Sequence, residues 1–351
     1  MSRKKDASRT PSPRVSIQCL ARYLGVGAGS VSRALSGKGP VSVAMAERVR
    51  KAAKELGYEP NFLAQSLRTR SSQAIGFLIS DITNPLLASI ASGAEAVLST
   101  AGYSLLLTNS GGLPDVDAER VRLFLQRRVD GLIVMPASES DPATVAPLAG
   151  ADIPVVLIDR EMPAVPNALS VLSDHSLGMT EATRHLLALG HRKIALLVGP
   201  PGRPAKERAR AFQEAHTAAS LSPFCIEYGP LTAERSRKAV GRFLESPQRP
   251  TAIILGGNQL LEGTLEIFRQ SFVRHGPDIA LVCCDDVPLG RLADPSISTV
   301  VRDTNTMGRA AATLLLECLA GATPSNRSLP TWFVPRGSTL DGPSDNPPMV
   351  T

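Results

Sequence analysis

The sequence predicts an α/β protein in two parts: a small three-helix head containing a helix-turn-helix, and a larger bilobed body built on two parallel sheets. Three observations lead there. Helical periodicity with capping residues runs over 15–57, β-α alternation begins at Ala74, and charge is split between the two stretches. Of 351 residues, 43% are hydrophobic and 20% charged, enough apolar surface for real cores and too little charge for wholesale disorder. The net charge of +6 conceals 14 Lys/Arg against 4 Asp/Glu in residues 1–72, and 24 against 28 in the remainder. A basic head on a mildly acidic body suits a polyanion-binding module joined to a sensor. A basic, solvated tail on a globular protein would show the same balance.

Residues 1–14 are polar, basic and broken by proline, and read as a disordered tail. The head follows over 15–60. Ser16 can cap a helix whose apolar positions Ile17, Leu20, Ala21 and Leu24 recur at i, i+3, i+4, i+7. Gly25-Val26-Gly27 breaks it, and a second short helix over 28–35 puts Val31 and Leu35 on one face. Ser42 can cap a third, with Met45, Val49, Ala52, Ala53 and Leu56 as its apolar set and Gly57 as its end. Three short helices with a tight first turn fit a helix-turn-helix, or another small helical bundle. Residues 61–73 read as a hinge helix and linker; the helical run is shorter than the ~12–15 residues an isolated helix needs, so it should order only against a partner.

The body spans 74–342, with strands expected over 75–79, 103–108, 131–135, 154–159, 193–199, 252–256 and 279–285. These are continuous Val/Ile/Leu runs, the mark of strands buried on both faces of a parallel sheet. Asn84-Pro85 is a helix start, with Asn as cap and Pro in the first turn. An N-subdomain over about 74–173 plus 303–329, and a C-subdomain over about 174–301 plus 330–342, would leave a ligand cleft at the strands' carboxyl ends. Residues 343–351 read as a disordered tail.

Several classes are disfavoured. No apolar run approaches the ~18–20 residues of a membrane span, and the N-terminus lacks the apolar core of a secretory signal, so a cytoplasmic protein without membrane contact is expected. The cysteines Cys19, Cys225, Cys283, Cys284 and Cys318 have no metal or redox spacing, and Cys283 and Cys284 should point to opposite faces of one strand. There is no GxSxG, P-loop, HExxH or dinucleotide motif, and the five histidines lack ligand spacing. No cofactor, metal or catalytic residue is expected. A transporter's solute-binding protein remains a rival for the body, countered by the head and by the missing signal.

The residues also carry a family resemblance. Val15-Ser16-Ile17, Leu20-Ala21-Arg22-Tyr23-Leu24-Gly25-Val26, Val31-Ser32-Arg33-Ala34-Leu35 and Glu55-Leu56-Gly57-Tyr58-Glu59-Pro60-Asn61 resemble the headpiece of the LacI/GalR (lactose-repressor type) regulators. Ala64-Gln65-Ser66-Leu67, Asn84-Pro85, Val129-Asp130-Gly131, Leu189-Gly190-His191-Arg192, Asp285-Asp286 and Arg336-Gly337-Ser338-Thr339 follow in the same order, so the resemblance covers about 15–340. It implies a homodimer, or a tetramer as a dimer of dimers. Each chain would carry a helix-turn-helix head, a hinge helix and an allosteric sensor of the periplasmic sugar-binding-protein fold. The implied function is a transcriptional repressor, often in carbohydrate metabolism, that binds a near-palindromic double-stranded operator under control of a small effector.

By that resemblance the second helix enters the major groove, with Ala28 and Gly29 at the base-reading positions and Arg33 one turn on. Arg33 can bond a guanine bidentately or hold a phosphate. The chain departs from the family in carrying Gly27 at the usual cap serine, and Gly29 costs the helix about 1 kcal/mol relative to Ala. Ser16, Ser32 and Tyr58 are expected near phosphates and Ser30 among the DNA-binding residues, with Lys38, Arg48, Lys51 and Arg68 supplying salt-sensitive attraction. In the hinge, Asn61 and Ala64 face DNA and Leu67 wedges the minor groove, or serves as an ordinary interface leucine.

Around the cleft the resemblance places Asn84, Leu86, Asp159, Arg160, Arg208, Asn258, Asp285 and Arg302. Leu86 stands where the family often has an aromatic. Arg302, where sugar binders often carry a neutral amide, together with Arg160 and Arg208 suggests an anionic ligand. The candidate effectors are thus a sugar, a sugar acid or a sugar phosphate. Singly, Asp159 could merely cap a helix, and Asp285-Asp286 could be a loop carboxylate pair.

Overall fold

The computed structural model describes residues 15–36, 39–58 and 71–343. The expected hinge helix with Asn61, Ala64 and Leu67, the basic residues Lys38 and Arg68, and the termini 1–14 and 344–351 lie outside the described residues. The chain divides into two compact units, Met1–Ser72 and Gln73–Thr351.

In the first unit the caps act where local sequence places them. Ser16 accepts the Cys19 amide at 3.3 Å and starts α1 (Ile17–Leu24). Gly25 ends it at φ 68°, a left-handed conformation that costs a glycine little. α2 (Ala28–Ser36) follows without a side-chain cap, since Gly27 offers only its carbonyl to Ser30 and Val31. Ser42 caps α3 (Val43–Glu55), and Gly57 turns the chain at φ 64°. Leu20, Val31 and Val49 are fully buried among Ala21, Leu24, Ala34, Ala52 and Ala53, so the three helices share one small core. Arg48, expected to attract phosphates, donates to the Leu24 carbonyl at 2.9 Å and ties α3 to the end of α1.

The second unit alternates strands and helices. Its strands are β1 (Ala74–Ile79), β2 (Ser104–Asn109), β3 (Gly131–Val134), β4 (Val155–Ile158), β5 (Ala168–Asp174), β6 (Ile194–Val198), β7 (Cys225–Tyr228), β8 (Ala252–Leu255), β9 (Ala280–Cys284), β10 (Ser298–Arg302) and β11 (Arg327–Val334). The strand order is β2-β1-β3-β4-β5-β11-β10-β9-β8-β6-β7, and every pair is parallel except β10–β11. The two expected sheets are thereby joined. β11 pairs with β5 through Arg327–Pro330, then with β10 through Thr331–Val334, so one strand serves both lobes.

Each lobe is a helix–sheet–helix sandwich. In the first, α4 (Pro85–Thr100) and α12 (Thr304–Leu319) cover one face, while α5 (Pro114–Gln126) and α6 (Pro142–Ala149) cover the other. In the second, α7 (His175–Ala188) and α8 (Arg203–Ala218) oppose α9 (Ala233–Glu245) and α10 (Leu261–Gln270), with the short α11 (Pro288–Leu292) beside the strand ends. Cys283 and Cys284 enter the cores on opposite faces, as alternation along β9 requires. α4 and α12 meet at two glycines: a Cβ at Gly308 would sit 1.9 Å from the Ile90 carbonyl oxygen, and one at Gly93 2.2 Å from that of Asn305.

The chain passes between lobes after β5, after β10 and within β11. Thr331 ties two of these passages together, donating to the Asp174 carbonyl at 2.6 Å and accepting the Gly178 amide at 3.0 Å. Just beyond β4 and β9, Asp159 and Asp285 adopt φ of 55° and 75°. Left-handed non-glycine residues are uncommon and concentrate where the surroundings over-determine them.

Candidate functional site

On the head, α2 buries Val31 and Ala34 and so turns Ala28, Gly29 and Arg33 outward, with Ser30 and Ser32 half-buried. A Cβ at Gly29 would meet nothing within 4 Å. The stem of Arg33 lies against Gly39, where a Cβ would come 3.2 Å from its Cδ. Two residues that sequence reasoning missed join this surface: Gln18 and Arg22, four apart on α1, line a shallow concavity with Ala28. Their spacing was the available signal. Ser16 is exposed and already employed as a cap, and its hydroxyl also donates to the Cys19 sulfur at 3.3 Å. Tyr58 packs half-buried against the head core. An uncapped basic helix face beside a helix N-terminus offers amides and cations to phosphate.

In the second unit the sequence-picked residues fall into three groups, each spanning the two lobes. Asn84 caps α4 through the Leu86 amide at 3.1 Å, and its Oδ1 accepts the Asn258 Nδ2 at 2.8 Å across the cleft. Leu86 itself is buried in the core under α4 and does not line the cavity described below, so it makes no wall for a ligand there.

The second group is a buried ion cluster. Arg302, at the end of β10, reaches Asp159 of the first lobe through Nη1 and Asp285 of the second through Nε, at 2.5 and 2.7 Å. Asp159 also accepts His175 Nε2 at 2.9 Å and the Ser173 amide at 3.0 Å, with Arg203 at 3.5 Å. Burial opposes ionisation of Asp159, but His175 and Arg302 outweigh it and hold its carboxyl well below the ordinary range. Asp285 is lowered by Arg302 and Arg208 against the same burial cost. Arg302 is raised above its ordinary value because Asp285 and Asp159 overcome its desolvation. Burial pushes His175 down to about 4 despite Asp159, so it is a neutral donor at pH 7.

The third group lines a cavity of about 240 Å³. Ala137, Ser138, Glu139 and Arg160 come from the first lobe; the 199–208 turn with Arg208, and Leu231, come from the second. Arg160 is fixed by the Pro136 and Asp159 carbonyls at 3.1 and 2.9 Å, and burial lowers its guanidinium. Arg208 donates Nη1 to the Gly256 carbonyl at 2.7 Å, while its Nε is buried without an acceptor. Glu139 takes the Arg203 amide at the start of α8, at 3.1 Å. Buried Asp117 steadies this wall by accepting the Ala137 amide at 2.6 Å. Sequence reasoning missed Glu139, His175 and Arg203, since His175 follows a strand it did not identify.

Arg302 faces two carboxylates rather than open cleft, so the cation that most suggested an anion is already neutralised. By the same contacts Asp159 and Asp285 are engaged by Arg302. Among the described residues no cluster of His, Cys, Asp and Glu is arranged to hold a metal, and no helix is long and apolar enough to cross a membrane.

Comparison with known proteins agrees along nearly the whole chain. Residues 16–61 match the bacterial regulatory proteins of the lacI family, and 183–339 match a periplasmic binding protein-like domain. The HTH-type transcriptional regulator CelR of Thermobifida fusca is 30% identical over 320 residues, covering 88% of this chain and 93% of that protein. The HTH-type transcriptional repressor PurR of Aliivibrio fischeri (strain MJ11) is 29% identical over 306 residues, 86% and 90% of the two chains. Among solved structures, the lac repressor dimer bound to operator and the anti-inducer ONPF superposes with a TM-score of 0.82 at 27% identity, covering 93% of this chain and 99% of that one. The head, the joined parallel sheets and these likenesses converge: the chain belongs to the lacI family of bacterial regulatory proteins, DNA-binding transcriptional repressors that answer to a small-molecule effector, and is not an enzyme.

Proposed function

We propose that this repressor acts as a homodimer on a near-palindromic operator and is controlled by a small, uncharged polyhydroxylated ligand, a single sugar ring or its like, held between the sensor lobes. The observation that carries the ligand class is charge balance around the cavity. Arg160, Arg208 and Glu139 line the cavity, while beside it Arg302 is paired with Asp159 and Asp285 and Arg203 with Glu161 and Glu207, so the positive charge here is matched within the chain and no counter-charge is asked of the ligand. Arg160, Arg208 and Glu139 at the wall supply both donors and acceptors, as hydroxyl groups require. The volume lies below the ~300–1,000 Å³ of pockets for drug-sized ligands, which favours one ring over an oligosaccharide. Among relatives, CelR has been solved with cellobiose and the lac repressor with ONPG.

Ala28, Gly29 and Arg33, with Gln18 and Arg22, face the operator, and phosphate contacts from the basic head supply salt-dependent affinity. Ligand in the cleft biases the lobe arrangement, and through it the spacing of the two 61–67 segments in the dimer. Fluorescence anisotropy with a fragment of the gene's own promoter tests the reading, using neutral monosaccharides paired with their acids and phosphates. A tenfold change in operator affinity with a neutral monosaccharide supports it. A response confined to the acids or phosphates overturns the ligand class, and no preference for any promoter fragment over random DNA overturns the operator reading.

A further inference from the structure

We infer that Arg302 is a built-in strut that holds the two sensor lobes closed by contacts internal to the chain, so that closure and ligand occupancy are separable in this protein. The chain itself provides what a bridging ligand would otherwise provide. Asp159 stands at the carboxyl end of β4 in one lobe and Asp285 at that of β9 in the other, both turned inward by left-handed backbone. The Arg302 guanidinium lies between them, and all three side chains are less than one-tenth exposed. A planar fork of donors suits two carboxylates at once, a geometry that a lysine ammonium or a neutral amide does not reproduce.

Secondary ties run the same way. Arg203, at the start of α8 in the second lobe, donates to the Ser173 carbonyl of β5 in the first lobe and pairs with Asp159 and Glu161. Its amide is taken by Glu139, also of the first lobe. Removing the central cation leaves two buried carboxylates with one counter-charge fewer, an arrangement relieved by letting the lobes part and water enter. The strut sits on a passage between lobes, beside His175 and Thr331, so the change falls on the connections that join them.

The test uses the full-length protein with neither ligand nor DNA, so its failure would leave the regulator reading untouched. Hydrogen exchange is followed at the Arg203 amide, which bonds across the cleft, with β1 and β3 amides as controls. In the unaltered protein the Arg203 amide should be protected, and Arg302→Gln should speed its exchange at least tenfold while the controls hold. If the controls accelerate as well, the variant has lost its fold and Asp285→Asn decides, since it frees only one end of the strut and should give a smaller acceleration of the same kind. An unprotected Arg203 amide in the unaltered protein overturns the inference, and so does Arg203 exchange within twofold of the unaltered protein in a folded Arg302→Gln, or in Asp285→Asn where Arg302→Gln has lost its fold.

Discussion

Gly29→Ala separates what the head needs for stability from what it needs for DNA. Gly29 lies in the first turn of α2 with nothing within 4 Å of the position a Cβ would take. A methyl group there carries no steric cost in the free protein, and replacing glycine by alanine in a helix is worth about 1 kcal/mol. The head should therefore be more stable, by up to roughly fivefold slower exchange of the α2 amides. On the operator the same methyl meets the groove if the backbone at 29 approaches base edges closely. Overpacking a close contact costs about 1–3 kcal/mol, or about 5- to 150-fold in affinity. Anisotropy titrations of both proteins against one promoter fragment at fixed salt give the comparison. Operator affinity that stays equal or improves while the head is stabilised would refute close approach at Gly29 and shift the readout to Arg33, Gln18 and Arg22.

Three further perturbations follow from the geometry. His175 is held near 4 when folded against 6.5 unfolded, so as pH falls from about 6.5 to about 4 the unfolded chain takes up a proton that the folded chain refuses. Stability is lost across that window by about 3 kcal/mol, and His175→Gln should flatten the urea midpoint between pH 7 and pH 4.5; an unchanged slope would assign the loss to other groups. Gly308→Ala forces α4 and α12 apart against the Ile90 carbonyl and should cost at least about 2 kcal/mol, read as a lower urea midpoint at constant m-value, whereas a change under about 0.5 kcal/mol would contradict the close helix contact. Cys19 is exposed and its thiol is lowered by the Ser16 hydroxyl, while burial raises Cys283 and pushes Cys284 up to about 11. Iodoacetamide followed by mass spectrometry should label Cys19 first, and operator DNA should slow it; labelling of Cys284 ahead of Cys19 would contradict the packing of β9.

Local chemistry was legible wherever one turn or one strand decides the outcome. Ser16 and Ser42 cap helices, Asn84-Pro85 starts α4, and the apolar runs of β1, β3, β4, β6, β8 and β9 are strands buried on both faces because nothing else satisfies such runs. The unidentified strands are those whose pattern depends on neighbours. β7 is a half-buried edge, β5 mixes buried and polar positions, β10 ends in an arginine, and β11 carries Pro330 where it changes lobe. The family positions around the cleft could also be read one by one, but not their pairing. Arg302 meets Asp285 from 17 positions away and Asp159 from 143. Whether a guanidinium awaits an anion or is already neutralised depends on which chain ends the β11 crossover brings together, and only the tertiary structure decides that.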